Sequence, residues 1–95
     1  MRMMLRAVVD TESGNRAVAD GTVQKTIQET VERLRPEAVY FVGDEGCRSL
    51  WAVIDMTDSS QMPEISEPLF QLGARVTLTP CMNLEDMQKG MAALG

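Results

Sequence analysis

Six residues carry most of the chemistry this sequence can offer: Arg6, Tyr40, Trp51, Asp55, Thr77 and Thr79. Each lies in a segment that alternates like a strand, and the alternation assigns them to one face of a sheet, Tyr40 on condition that the hairpin turn beside it is two residues long. A guanidinium there can clamp an anion through its planar fork of donors. Asp55 can act as a general base if burial raises its proton affinity. Tyr40 can donate a hydrogen bond or a proton, and the two threonine hydroxyls can hold a polar group. With Met4, Val8 and Val53 between them, these residues have the make-up of a ligand pocket: apolar walls with a few convergent polar groups. The same residues also admit a purely structural reading. Arg6 and Asp55 then form an ion pair across neighbouring strands, and the threonines simply suit a pleated surface.

The residues that are missing narrow the chemistry further. The chain has no histidine, so Ser-His-Asp and Cys-His engines are excluded, as is any His-ligated zinc or haem. Two cysteines, Cys47 and Cys81, make no disulfide framework and no CxxC pair. The sequence reading places both at one end of the sheet on either side of strand one, about 10 Å apart at the ~4.8 Å strand spacing. A disulfide needs Cα atoms within about 7 Å, so each is read as a small packing residue. Scattered acids such as Asp44, Glu45 and Asp58 read as turn and cap residues. No metal and no cofactor are expected.

The elements that must position these side chains follow from periodicity and punctuation. Strand one spans Met3 to Val9. Thr11 opens a short helical stretch, Asp20-Gly21 breaks it, and a main helix runs from Thr22 to Leu34 with Val23, Ile27, Val31 and Leu34 on one face. Pro36 stops that helix. Strand two is near Ala38 to Val42, Gly43 to Gly46 forms a hairpin loop, and strand three is near Arg48 to Met56. A two-residue turn puts Tyr40 on the face of Trp51; a three-residue bulged loop reverses it. A helix near Gln61 to Leu72 carries Ile65, Leu69 and Leu72 inward. Pro63 suits its first turn, and Pro68 is expected to kink or split it. Gly73 ends the helix, strand four runs from Arg75 to Met82, and Asn83 with Asp86 caps a last helix, Leu84 to Leu94.

This order is βαββαβ plus a C-terminal helix, an α+β, ferredoxin-like arrangement in one domain, residues 1–95. It predicts a four-stranded antiparallel sheet in the order four-one-three-two, with strands one and three central and taken as parallel to each other. Helices cover one face. The open face carries Met4, Val8, Trp51 and Val53 beside its polar residues, and apolar patches of that kind are rarely left in water. A second copy of the chain is the expected cover. Met82, Met87 and Met91 are read as ordinary packing near the C-terminus. A net charge of -5 argues against nucleic acid, whose binding needs a basic footprint. No segment approaches the ~20 apolar residues of a membrane span, and no signal-peptide pattern opens the chain, so a cytoplasmic location is expected.

The βαββαβ order with an apolar open sheet resembles the dimeric α/β-barrel group, which includes muconolactone isomerase-like proteins and small antibiotic-biosynthesis monooxygenases. The stretches Ile54-Asp55-Met56-Thr57-Asp58, Ile65-Ser66-Glu67-Pro68-Leu69-Phe70 and Leu78-Thr79-Pro80-Cys81-Met82-Asn83 resemble a short uncharacterised bacterial domain family within that group. The resemblance implies a homodimer whose facing sheets enclose a barrel. Members that act on haem or peroxide use a histidine ligand that is absent here, so no catalytic residue carries over. Gly21-Thr22-Val23-Gln24-Lys25 is only superficially similar to the acylphosphatase phosphate loop, which needs glycine at Lys25 and arginine at Glu29. The RNA-binding domain of this topology needs aromatics on its central strands, and Arg2 to Val8 has none. Three functions remain: a homodimer binding a small, partly apolar, possibly anionic molecule on the open sheet face; a cofactor-independent isomerase or monooxygenase-like enzyme; and a structural or regulatory protein–protein module.

Overall fold

The computed structural model describes residues 1–95. Its elements are β1 (Arg2–Val9), α1 (Thr11–Ala19), α2 (Thr22–Leu34), β2 (Ala38–Asp44), β3 (Cys47–Asp55), a 3-10 turn (Ser59–Gln61), α3 (Met62–Phe70), β4 (Ala74–Pro80) and α4 (Leu84–Ala92). The fold is α+β, with one four-stranded sheet in the order β2-β3-β1-β4. That is the strand order of the split βαβ arrangement. No helix is long and apolar enough to cross a membrane.

Every adjacent strand pair is antiparallel, including β1 with β3. This corrects the expectation that the two central strands run parallel. It also moves the cysteines. β3 and β4 are both antiparallel to β1, so the start of β3 and the end of β4 lie at opposite ends of the sheet. Cys81 donates its N–H to the Arg2 carbonyl at one end, while Cys47 pairs with Asp44 beyond the far end of β1. About eight residues of strand rise, roughly 25 Å, separate them. Both are free thiols.

Strand alternation builds the core on one side only. Met3, Leu5 and Ala7 of β1, Leu50, Ala52 and Ile54 of β3, and Ala74 of β4 face the helices and are buried with Ala17, Ile65, Leu69 and Leu72. On the opposite face, Val8 and Ser49 are the only strand residues that are buried. The β2–β3 turn is the two-residue form: Glu45 and Gly46 take φ of 56° and 73°, the positive pair that a tight hairpin matching strand twist requires. Tyr40 therefore lies directly opposite Trp51, on the same face.

The helices show what periodicity alone does not. α2 has the predicted limits, but the residue of α2 that is fully buried is Thr30. Val23, Ile27, Thr30 and Leu34 form the inward line, with Val31 at its flank; a hydroxyl at the central position hid it from a hydrophobic count. Pro68 lies inside α3, which continues unbroken to Phe70. Proline supplies no N–H to the Glu64 carbonyl one turn back. Arg33 fills that gap from α2, donating from Nη2 to the Glu64 oxygen at 3.2 Å. A cross-helix arginine thus replaces the lost rung, and the expected split does not occur. Gly73 follows at φ 83°, where a Cβ would approach Ser13 Cβ to 2.7 Å, so both backbone hand and space require glycine.

Candidate functional site

The open face is organised as rows of directly paired residues. One row crosses all four strands: Tyr40 opposite Trp51, Trp51 opposite Arg6, Arg6 opposite Thr77. The next is Ala38, Val53, Met4 and Thr79. Side chains directly opposite in an antiparallel pair have Cβ atoms about 4.5–5.5 Å apart, so these eight residues share one surface. The structure thus brings together Arg6, Tyr40, Trp51, Thr77 and Thr79. Tyr40, Trp51, Thr77 and Thr79 are exposed, and Trp51 keeps 37% of its surface accessible although it is central.

Asp55 does not belong to this group. Antiparallel pairing sets Asp55 opposite Arg2, four residues and roughly 13 Å along β3 from Trp51. Its carboxylate accepts from the Met1 ammonium at 2.8 Å and its side chain is 73% exposed. The Arg6–Asp55 pair of the structural reading is therefore absent, and Asp55 lacks the burial that a general-base role would need.

Asp44 takes its place. The guanidinium of Arg6 lies over the Trp51 ring, 4.8 Å from its centroid, and reaches on to donate from Nη2 to Asp44 Oδ2 at 2.6 Å. The Asp44 side chain is only 16% exposed. Its carboxylate is held below its ordinary value of 3.8, first by the hydrogen bond from Arg6; partial desolvation opposes this, and the charge of Arg6, the nearby Trp51 N–H and the charge of Arg75 add to it. Arg6 Nε is buried and meets no acceptor. Alternation from Tyr40 through Val42 reaches Asp44 only if β2 continues to the two-residue turn. Reading Gly43 to Gly46 as loop concealed it.

The sign of this linkage gives a testable pH effect. A carboxyl depressed in the folded state adds stability that is complete above its unfolded value and disappears as pH falls through the folded one. Wild type should therefore melt higher than Asp44→Asn at pH 6, and the two melting temperatures should converge as pH drops below 3.8. Asp10, Asp20 and Asp58 are depressed as well, each chiefly by hydrogen bonds from residues two or three further along, so both proteins lose stability together in that range. Circular-dichroism melts between pH 3 and 7 read the difference. A gap that stays constant with pH would show that Asp44 acts without its charge.

A concavity lies on the helix side and was not visible in the sequence. A crevice of about 390 Å³ opens between α2 and the β2–β3 end, lined by Val9, Val23, Ile27, Phe41, Leu50 and Leu72 among others. Arg48 stands beside it, donating to Asn15 Oδ1 at 3.1 Å. Its guanidinium passes so close to Gly14 that a Cβ there would lie 2.8 Å from Nη1. The crevice contains no convergent set of polar groups of the kind the open face holds.

The two cysteines lie apart from this face's polar row. Cys47 Sγ lies near Thr11 Oγ1 at 3.6 Å and the Glu45 carbonyl at 3.7 Å, with no base beside it to activate the thiol. No three acidic or cysteine side chains come close enough together to hold a metal ion. No protein-family model matches the chain, and no curated protein is significantly similar to it in sequence.

Proposed function

We propose that the chain works as a ferredoxin-like homodimer in which two open sheet faces meet as a barrel, and that the chamber between them binds a small, partly apolar molecule with an acceptor or anionic end. Surface area is the observation that carries this reading. A folded monomer of 10.5 kDa is expected to expose about 5,400 Å², whereas this chain exposes 6290 Å². The excess of about 900 Å² is close to the ~800 Å² that each partner buries in a standard interface. Trp51, Tyr40, Met4 and Val53 supply the apolar part of the chamber. The partly accessible Arg6 guanidinium supplies the positive charge, and Thr77 and Thr79 supply hydroxyls. An incoming carboxylate would pair with the Arg6 fork beside Asp44, or displace it.

The Arg6–Asp44 pair supports a second reading, a purely structural module whose interior charges are already neutralised. Native mass spectrometry of freshly purified protein separates the two. The expected species is a dimer of twice 10.5 kDa carrying a small additional mass. A compact monomer at micromolar concentration overturns the dimer. A dimer with no added mass, and no calorimetric response to small aliphatic and aromatic carboxylates, overturns ligand binding and leaves the structural module.

A further inference from the structure

α4 is the element with nothing to pack on. Its start is well built: Asn83 Oδ1 accepts the Asp86 N–H at 2.7 Å, and the Asp86 carboxylate accepts the Asn83 N–H at 3.2 Å. A helix of nine residues is marginal by itself in water, because few bonds offset its nucleation. Yet no residue of α4 is buried. Leu84, Met87 and Met91 recur at spacings of three and four, which is one helix stripe, Leu94 follows in the turn just beyond, and all four are exposed. The expectation that these methionines pack within the monomer is not met.

The placement of α4 indicates what could cover it. Arg2 shares the open face with Arg6 by strand parity, and its Nη1 donates to Asp86 at 2.6 Å. α4 therefore begins on the open-face side, at the Arg2 end of the sheet. The molecule as a whole is elongated: its longest dimension is 54 Å and its radius of gyration 15.0 Å, against about 12 Å for a compact domain of this length. The open sheet and α4, whose stripe is uncovered, thus adjoin at Arg2.

We infer that α4 is a clasp that packs its stripe against a second copy of this chain. The inference rests on the dimer reading above and adds the element that closes it. An isologous interface uses each patch twice, so two short stripes of about 15 Å each extend the sheet-to-sheet contact at both ends. Methionine at two of the four positions suits a surface that must conform to a partner. The stripe accounts for part of the excess area that matches one partner.

Amide hydrogen exchange of the full chain across a dilution series, paired with sedimentation on the same samples, tests this. The expected result is that α4 amides are protected only at concentrations where the dimer is populated. Protection that persists in dilute monomer places α4 on its own chain and overturns the clasp. A dimer whose α4 exchanges freely also overturns it, and leaves the sheet-to-sheet dimer standing. A chain that stays monomeric at every concentration removes the dimer and the clasp together. Met87→Glu/Met91→Glu keeps good helix formers on the exposed stripe. It should leave the monomer folded and raise the dimer dissociation constant about tenfold or more; an unchanged constant overturns the clasp.

Discussion

Trp51→Glu is expected to leave a folded monomer and to weaken self-association by roughly 30- to 1,000-fold, the equivalent of about 2–4 kcal/mol for a central tryptophan in an interface. In the single chain Trp51 stays 37% accessible, so a carboxylate in its place keeps access to water. The position is a strand centre between Tyr40 and Arg6, where a polar residue costs the monomer little. Against a facing sheet the same carboxylate loses its water and lies near its symmetry mate, and burying like charges is strongly unfavourable. Arg6 cannot fully relieve it, because Asp44 already holds its Nη2. Trp51→Phe retains an aromatic body and should dimerise nearly as wild type does. Sedimentation velocity across a concentration series measures all three proteins. If Trp51→Glu associates as tightly as wild type, the open face is not the interface.

Most elements were legible because their limits carry chemical punctuation. Asp20-Gly21 and Pro36 bracket α2, and Asp20 Oδ1 does accept the Thr22 N–H at 2.9 Å. Asn83 and Asp86 announce the α4 capping box, which forms in both directions. Alternation in β1, β3 and β4 assigned the two faces, since a side-chain period of two leaves no third choice. The hairpin could be read only conditionally. Turn length decides which face Tyr40 occupies, and Glu45 gives little warning that it will adopt positive φ beside Gly46.

The illegible part concerns relations between elements. Strand direction does not appear in composition, and taking β1 and β3 as parallel misplaced Asp55 and both cysteines. With antiparallel pairing, Arg6 faces Trp51 and its acid comes from the hairpin end as Asp44. Helix continuity through Pro68 is accompanied by a bond from Arg33 to the Glu64 carbonyl, thirty-one residues apart in sequence, which no local rule could supply. Thr30 shows the same limit from the other side: it occupies the inward line of α2, and its buried hydroxyl finds no protein partner. That α4 lies outside the core was equally hidden. A stripe of Leu and Met reads the same whether it is covered by its own chain or by another.

Leu5→Ala is expected to produce the largest loss of intrinsic stability, about 3–5 kcal/mol. Leu5 has no accessible surface and lies mid-sheet on β1, opposite Ala52 on one side and Leu78 on the other. Several core neighbours are already small: Ala7, Ala17, Ala52 and Ala74. Such residues cannot reach into a vacated leucine site, so the cavity persists, and persistent cavities lie at the costly end of this series. A domain of this size has about 5–14 kcal/mol of total stability, and the loss corresponds to a drop of roughly 15–30 °C in melting temperature. Urea unfolding at two protein concentrations separates this effect from that of Trp51→Glu. A dimer couples folding to association, so its unfolding midpoint rises with protein concentration. Leu5→Ala should lower the midpoint at both concentrations and preserve that dependence, because it damages the core within each copy. Trp51→Glu should abolish the dependence while leaving the dilute midpoint almost unmoved. If Leu5→Ala costs less than about 1 kcal/mol, the central core is not packed around Leu5 as described. If wild type shows no concentration dependence at all, the stability of the chain is its own and the open face is not an association surface.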